Sequence, residues 1–371
     1  MYESRIAADQ LTVASIAGFP PAIDVLAGCN LAGHGFLRAA WYAAGAPQSG
    51  GRIVLIRRGA SPDSAVIAAI PTVAFGPVIL RARKVPGAYW PLRAPLIAPD
   101  CDCVELAHGL DHTAARSLGP VWRVGPVRCD DPATVLLIEA AQMANWTVLS
   151  RPAGSSWVID LVAARTAGWP RPSTAKRLQR FERRLATLGQ MEWRHVRGNG
   201  WSPEVLEDLG RIEAQSWIAH TTDGSGAKFM SAAQRALWQA ALGDPVIADR
   251  LAATILMLDQ RPVAFSFDLD DGAVQYGIAG SYVRELKSFN IGKLANYRAM
   301  ADAIADGQDI LDMGVGDSGY KQAMGAVAGY KMADLLFVRS GAASRVLANT
   351  WGGEIGQAAR HGQSHKVRVD G

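Results

Sequence analysis

Two hydrophobic periods alternate along this chain, and the switch between them marks its elements. Residues 52–57 and 65–75 are β-branched, strand-like runs separated by turn-forming residues 59–63. A Pro- and Gly-rich stretch follows over 85–99. Helical spacing then covers 103–118 and 132–144, and 146–149 closes the first half as a strand. Next comes a helix opened by Ser173 and stopped by Gly189, with Leu178, Phe181, Leu185 and Leu188 at three- and four-residue spacing. Further helices are expected over 203–217 and 232–242.

The pattern then changes to strands over 253–258, 263–269 and 273–281, joined by hairpin-length turns at 259–262 and 271–272. An amphipathic helix over 292–306 ends at Gly307. A strand over 309–313, a short helix over 320–329 and a last strand over 334–339 complete the order. The two halves echo each other: each has a hairpin (52–75, 253–269), a later helix and a short strand near a Gly-containing turn (119–127, 309–316). The expected fold is mixed α/β (α+β), with two similar domains in tandem, each a mainly antiparallel mixed sheet flanked by helices. The expected division is 1–150, 151–345 and a flexible tail over 346–371.

Composition narrows the class. At 371 residues two cores are the natural expectation. With 49% hydrophobic and 19% charged residues, the chain has the makeup of a packed globular protein. Four cysteines (Cys29, Cys101, Cys103, Cys129) are too few for a disulfide framework, which fits a reduced, cytoplasmic setting. His108 and His112 lack the glutamate of a zinc-protease helix, so no metal site is expected. Without a charged start followed by an apolar run, or any run of about 18 apolar residues, neither a signal peptide nor a membrane-spanning helix is expected, which leaves a peripheral place at the inner face of a membrane open. Net charge is +4, yet residues 165–197 hold nine Lys/Arg against two Glu, +7, leaving −3 for the rest. Lys176, Arg177, Arg180, Arg183 and Arg184 form the polar face of the 173–188 helix. That face suits an anionic membrane surface or an acidic carrier protein, or else a plain solvated surface.

A family resemblance rests on the order and spacing of several short runs. These are Glu213-Ala214-Gln215-Ser216-Trp217, Gln260-Arg261-Pro262-Val263-Ala264, Gly292-Lys293-Leu294, Ala305-Asp306-Gly307, Asp312, and Gly316 followed by Tyr320-Lys321. With the Arg-rich helix ending at Gly189, the stretch 212–324 resembles the CelD-like branch of the GNAT acetyltransferase superfamily, relatives of the Fem-type aminoacyltransferases. Where that branch usually has Ser-Pro-Gly at the helix entrance, this chain has Asn290-Ile291-Gly292.

The resemblance implies an acyltransferase that uses acyl-CoA or acyl-carrier protein as co-substrate, with no tightly bound cofactor. The acceptor would be an amine or hydroxyl on a small molecule or lipid, such as a sphingoid-type long-chain amine, or on an envelope polysaccharide. A helix N-terminus binds phosphate through free N–H groups and its dipole, so Asn290, Ile291, Gly292 and Lys293 are donor-binding candidates. Ala279, Gly280 and Ser281 lie where GNAT enzymes splay adjacent strands and grip the thioester carbonyl with backbone amides. Asp312 is a candidate proton acceptor, Tyr320 a proton donor and Lys321 a phosphate contact. Trp217 and His220 are candidates for the acceptor pocket.

Rival readings stay in view. Gly314–Gly319 matches GxGxxG, but an antiparallel meander precedes it and about fifty residues follow, too few for a dinucleotide-binding sheet. Fem-like aminoacyl transfer from tRNA and a non-catalytic envelope-assembly role are the functional alternatives. No RNA-stacking motif or phosphate-binding GxxxxGK[ST] loop appears, so nucleic acid is not expected as a partner.

Overall fold

The computed structural model describes residues 11–28, 33–47, 50–61, 63–87, 92–221, 226–316, 319–339 and 341–355, without the side chains of 220 and 221. The strands are β1 (Leu11–Ala17), β2 (Arg52–Arg58), β3 (Ala65–Ala74), β4 (Arg83–Lys84), β5 (Leu96–Ile97), β6 (Val121–Arg128), β7 (Trp146–Asp160), β8 (Met191–Arg197), β9 (Leu251–Leu258), β10 (Arg261–Asp271), β11 (Val274–Tyr282), β12 (Ile310–Val315), β13 (Val327–Arg339) and β14 (Gly353–Glu354). The helices are α1 (Asp24–Ala27), α2 (Ala39–Ala44), α3 (Cys103–Asp111), α4 (Pro132–Met143), α5 (Leu161–Thr166), α6 (Pro172–Leu185), α7 (Pro203–Ala214), α8 (Trp217–Thr221), α9 (Ala232–Ala241), α10 (Pro245–Arg250), α11 (Ile291–Ala305), α12 (Tyr320–Met324) and α13 (Ala342–Thr350).

One mixed, mostly antiparallel sheet runs through the described residues in the order β1-β2-β3-β4-β6-β13-β7-β12-β11-β10-β9-β8. Its two parallel pairings repeat one motif: β4 pairs β6 across α3, and β11 pairs β12 across α11. The halves are not separate sheets. β13, from the end of the chain, lies between β6 and β7 of the first half. β7 continues past residue 150 to pair β12 from Ser156 to Asp160. The expected boundary at 150/151 therefore falls inside a strand.

Several elements differ from the expected pattern for physical reasons. β13 begins at Val327 rather than 334, because Gly325 turns left-handed (φ 102°) and ends α12 after five residues. β8 was not anticipated, since Met191–Arg197 carries charge on its outer positions and reads as polar. Residues 342–350 form α13 close to where a flexible tail was expected to start, and 356–371 lie outside the described residues.

The aromatic residues show where the core sits. Phe229, Trp238, Phe265 and Phe267 pack edge-to-face between α7–α9 and the sheet, with Trp238 and Phe267 centroids 4.8 Å apart. Burying each such ring stabilises the fold by roughly 1.5–3 kcal/mol. In the first half Trp122 of β6 stacks on Phe337 of β13 at 4.3 Å, which locks the returning strand in place. α6 buries Phe181 and Leu185, with Leu178 partly buried beside them, and its arginines lie on the exposed face.

Candidate active site

Strand parity builds the site. Along β10, Phe265, Phe267 and Leu269 are buried with the aromatic cluster, while Ser266, Asp268 and Asp270 form the alternate row. α11 packs against β10 and β11, and Gly292 in its first turn lies beneath the Tyr282 ring of β11: a Cβ there would come within 2.5 Å of it.

β11 and β12 pair only from Val274–Ile310 to Tyr276–Asp312. From Gly277 onward β11 has no β12 partner, and the strands diverge. A cleft of about 960 Å³ fills this opening. β11 residues 277–282, the start of α11, the end of β12 and α12 line it.

The helix mouth faces the same cleft. Asn290, in the left-handed conformation (φ 59°), precedes α11 and makes no capping side-chain bond. The Asn290 and Lys293 amides donate to the Lys287 and Asn290 carbonyls at 3.1 and 3.0 Å, which leaves the Ile291 and Gly292 amides as the ones this mouth can offer. Lys287, Lys293 and Arg177 also line it, so positive side chains flank the positive end of the helix. That donor set fits a phosphorylated carrier.

Most of the expected residues come together here. Ala279, Gly280, Ser281, Asn290, Gly292, Lys293, Trp217 and Tyr320 all line the cleft. Trp217 and Tyr320 are half-exposed in it. Ser281 is buried, and its hydroxyl has no hydrogen-bond partner among the described residues. Ile291 is fully buried and points into the core. His220 lies in α8, with its side chain outside the described residues.

Two expected roles do not match the geometry. Leu311 and Met313 face the cleft, so parity turns Asp312 to the other side of β12. There its carboxylate accepts from the Ser156 and Tyr330 hydroxyls and from the Gly314 N–H at 2.7 Å. Buried and bonded in this way, Asp312 ties β12 to β7 and β13. Lys321 does line the cleft, but its ammonium donates to the Gly314 and Val315 carbonyls at 2.9 and 3.3 Å. It ties α12 to the end of β12, which is a positioning task.

The acid that does line the cleft is Asp268, opposite Gly277, the first β11 residue beyond the parallel pairing. Burial raises its carboxyl from the ordinary 3.8 to about 7, against the lowering hydrogen bond from Ser266 (2.8 Å) and with a smaller raising effect of the Asp302 charge. A carboxylate that exchanges its proton near neutrality, beside diverging strands, suits general-base work. The sequence signal for it was an acid row on a strand covered on both faces.

A mixed sheet whose parallel pair parts beside an open helix mouth is the arrangement that the GNAT resemblance implies. Residues 172–322 match the Acetyltransferase (GNAT) domain family, so this stretch of the chain is similar to the GNAT superfamily. Among solved structures the chain is similar to FemX (TM-score 0.57, 10% identity, 91% of this chain and 99% of that one). It is also similar to L-PGS from Bacillus licheniformis (0.54, 13%, 90% and 97%). A tandem GNAT protein from the clavulanic acid biosynthesis pathway matches as well (0.51, 12%, 90% and 99%). These likenesses show the fold over most of the chain, in tandem form. No curated protein matches. Among the described residues, no helix is long and apolar enough to cross a membrane.

Proposed function

We propose that this protein moves an acyl group from a thioester, acyl-CoA or acyl-carrier protein, to an amine or hydroxyl acceptor. One observation carries the reading: β11 leaves β12 beyond Tyr276, and the uncapped mouth of α11 opens into the same cleft. The carrier's phosphates lie at Asn290–Lys293 with Lys287 and Arg177, and its thioester lies along the free edge of β11. Backbone amides of 277–281 stabilise the oxyanion that forms when the acceptor attacks the carbonyl carbon. Asp268 takes the proton lost by the acceptor. As the C–S bond breaks, Tyr320 gives a proton to the departing thiolate.

For the acceptor we favour a long-chain amine or an envelope polysaccharide, a reading that rests on the CelD-like resemblance. Incubation with labelled acyl-CoA and an acceptor panel tests this. Transfer, or at least thioester hydrolysis with a donor-induced thermal shift, is expected. A protein that shows none of the three does not do this chemistry.

Arginine at the cleft, with the FemX likeness in fold, favours aminoacyl transfer from tRNA as a second reading. It predicts salt-sensitive tRNA binding that Arg177→Ala weakens. A non-catalytic envelope-assembly role predicts that partner binding survives Asp268→Asn and Tyr320→Phe.

A further inference from the structure

Far along the sheet from the cleft, eight consecutive residues, Ala74 to Arg81, are all exposed. They form the tip of the β3–β4 hairpin, paired at its base through Val73–Lys84 and Ala74–Arg83. Val78 is 92% exposed, Ile79 88% and Leu80 56%, and Phe75 is also exposed. Large aliphatic side chains seldom stand this open in a row, and such a patch marks a contact surface.

The tip is an organised turn. Phe75 N–H donates to the Ala82 carbonyl at 2.8 Å, Leu80 N–H to Pro77 and Arg81 N–H to Val78, both at 3.0 Å. Internal bonding of this kind lets an apolar turn leave water without stranding its backbone groups.

Charge completes the picture. From Ser64 to Pro99 the chain has no Asp or Glu, yet it carries Arg81, Arg83, Lys84 and Arg93. Arg83 is aimed along the hairpin by bonds to the Thr72 hydroxyl and carbonyl at 2.8 and 2.9 Å. Lys84 lies over the Phe75 ring at 5.4 Å. Burial, followed by the nearby Arg93 and Arg123 charges, lowers the Lys84 ammonium from its ordinary value. Arg123 and Arg151 share one carboxylate, Asp334, so positive charge remains in excess behind the tip.

We propose that the β3–β4 hairpin tip is a membrane anchor: Val78, Ile79 and Leu80 enter the acyl boundary of an anionic bilayer, and Arg81, Arg83 and Lys84 meet its lipid headgroups. The apolar wedge with a cationic collar selects this occupant, since an apolar protein groove has no need of the collar. The site stands apart from the transfer chemistry, and it differs from the arginine face of α6.

Co-sedimentation of the full chain with vesicles of phosphatidylcholine, with and without 30 mol% phosphatidylglycerol, tests it. Binding is expected to the anionic vesicles and to fall with added salt. Val78→Ser/Ile79→Ser/Leu80→Ser should lower the partition roughly tenfold or more, and Arg81→Glu about fivefold or more. Because these side chains are exposed, the melting temperature should not change, and that measurement guards against misfolding. Three results each overturn the proposal: no binding to anionic vesicles, equal binding by the triple-serine variant, or binding abolished only by Arg180→Ala/Arg183→Ala in α6. A concentration-dependent dimer in sedimentation velocity that the triple-serine variant dissolves, without lipid binding, would assign the tip to a second copy of the chain instead.

Discussion

Two helix mouths occupy matching places in the two halves, and they have opposite characters. α3 lies in the connection from β4 to β6 and α11 in the connection from β11 to β12, the two strand pairs that run parallel. At α3 the mouth is closed by its own carboxylates. Asp102 accepts from the Glu105 N–H at 2.8 Å, and Glu105 reaches back to the Asp102 N–H at 3.2 Å. Glu105 is buried and bonded to Arg58 at 2.6 and 2.7 Å. At α11 no side chain caps the mouth, and lysines and an arginine surround it. The helix dipole favours anions equally at both of these N-terminal mouths. What separates a structural helix from a binding one here is whether the chain supplies that anion itself. On this ground the proposed donor site is placed at the second mouth.

The largest expected effect is at the floor of the cleft. Asp268→Asn should lower kcat by about 10²–10⁴, measured under saturating donor. In the native enzyme kcat/KM should rise with pH through about 7 and level above it, because the base acts only when deprotonated. The same group predicts an opposite trend in stability. The folded state keeps this proton up to about 7, while the unfolded chain releases it near the ordinary 3.8. Folding therefore takes up a proton between those values, and stability falls as pH rises through that window. Asp268→Asn removes the penalty, so it should be more stable than native above pH 7, by on the order of a few kcal/mol. An inactive variant that is also less stable at pH 8 would place the acid in structure rather than chemistry.

Next in size is Tyr320→Phe, with an expected loss of roughly 10–100-fold in kcat and little change in donor affinity, if the hydroxyl protonates the thiolate. A poorly basic leaving thiol needs less help. The loss should therefore shrink with an activated thioester, and an equal loss for both donors would remove Tyr320 from that role.

How far the sequence revealed this site follows from the range of each signal. Gly292, Lys293 and Ser281 were legible because helix starts and strand ends leave local marks, and the turn at 271–272 fixed the strand before them. Asp268 sits inside the strand expected over 263–269, whose periodicity is carried by Phe265, Phe267 and Leu269. The row Ser266-Asp268-Asp270 between them was the informative one. Asp312 carried its own warning: with Leu311 and Met313 beside it, one parity had to face away from the cleft. Choosing between the two faces needed the pairing of β12 with β7. Least legible was β13, whose partners lie about 180 and 210 residues earlier, a distance over which periodicity says nothing.

The comparison of the two mouths can be tested by exchanging their character. Asn290→Asp gives α11 the kind of carboxylate that closes α3, in a residue type that tolerates the left-handed backbone. Donor affinity should fall about five- to tenfold, most at low salt, while the helix itself is slightly stabilised. Calorimetric titration with CoA reads this directly, and unchanged affinity would mean that the phosphates bind elsewhere.

The smallest effect should come from the reverse change. Asp102→Ala strips the cap from α3 at a cost of about 1 kcal/mol in stability, yet it should leave CoA affinity and turnover as they are. Opening that mouth does not make a donor site, because Glu105 still holds its carboxylate over the helix end and Arg58 still holds Glu105. A weaker donor affinity in this variant would show that the first half contributes to binding, and the assignment of the donor to α11 alone would then fail.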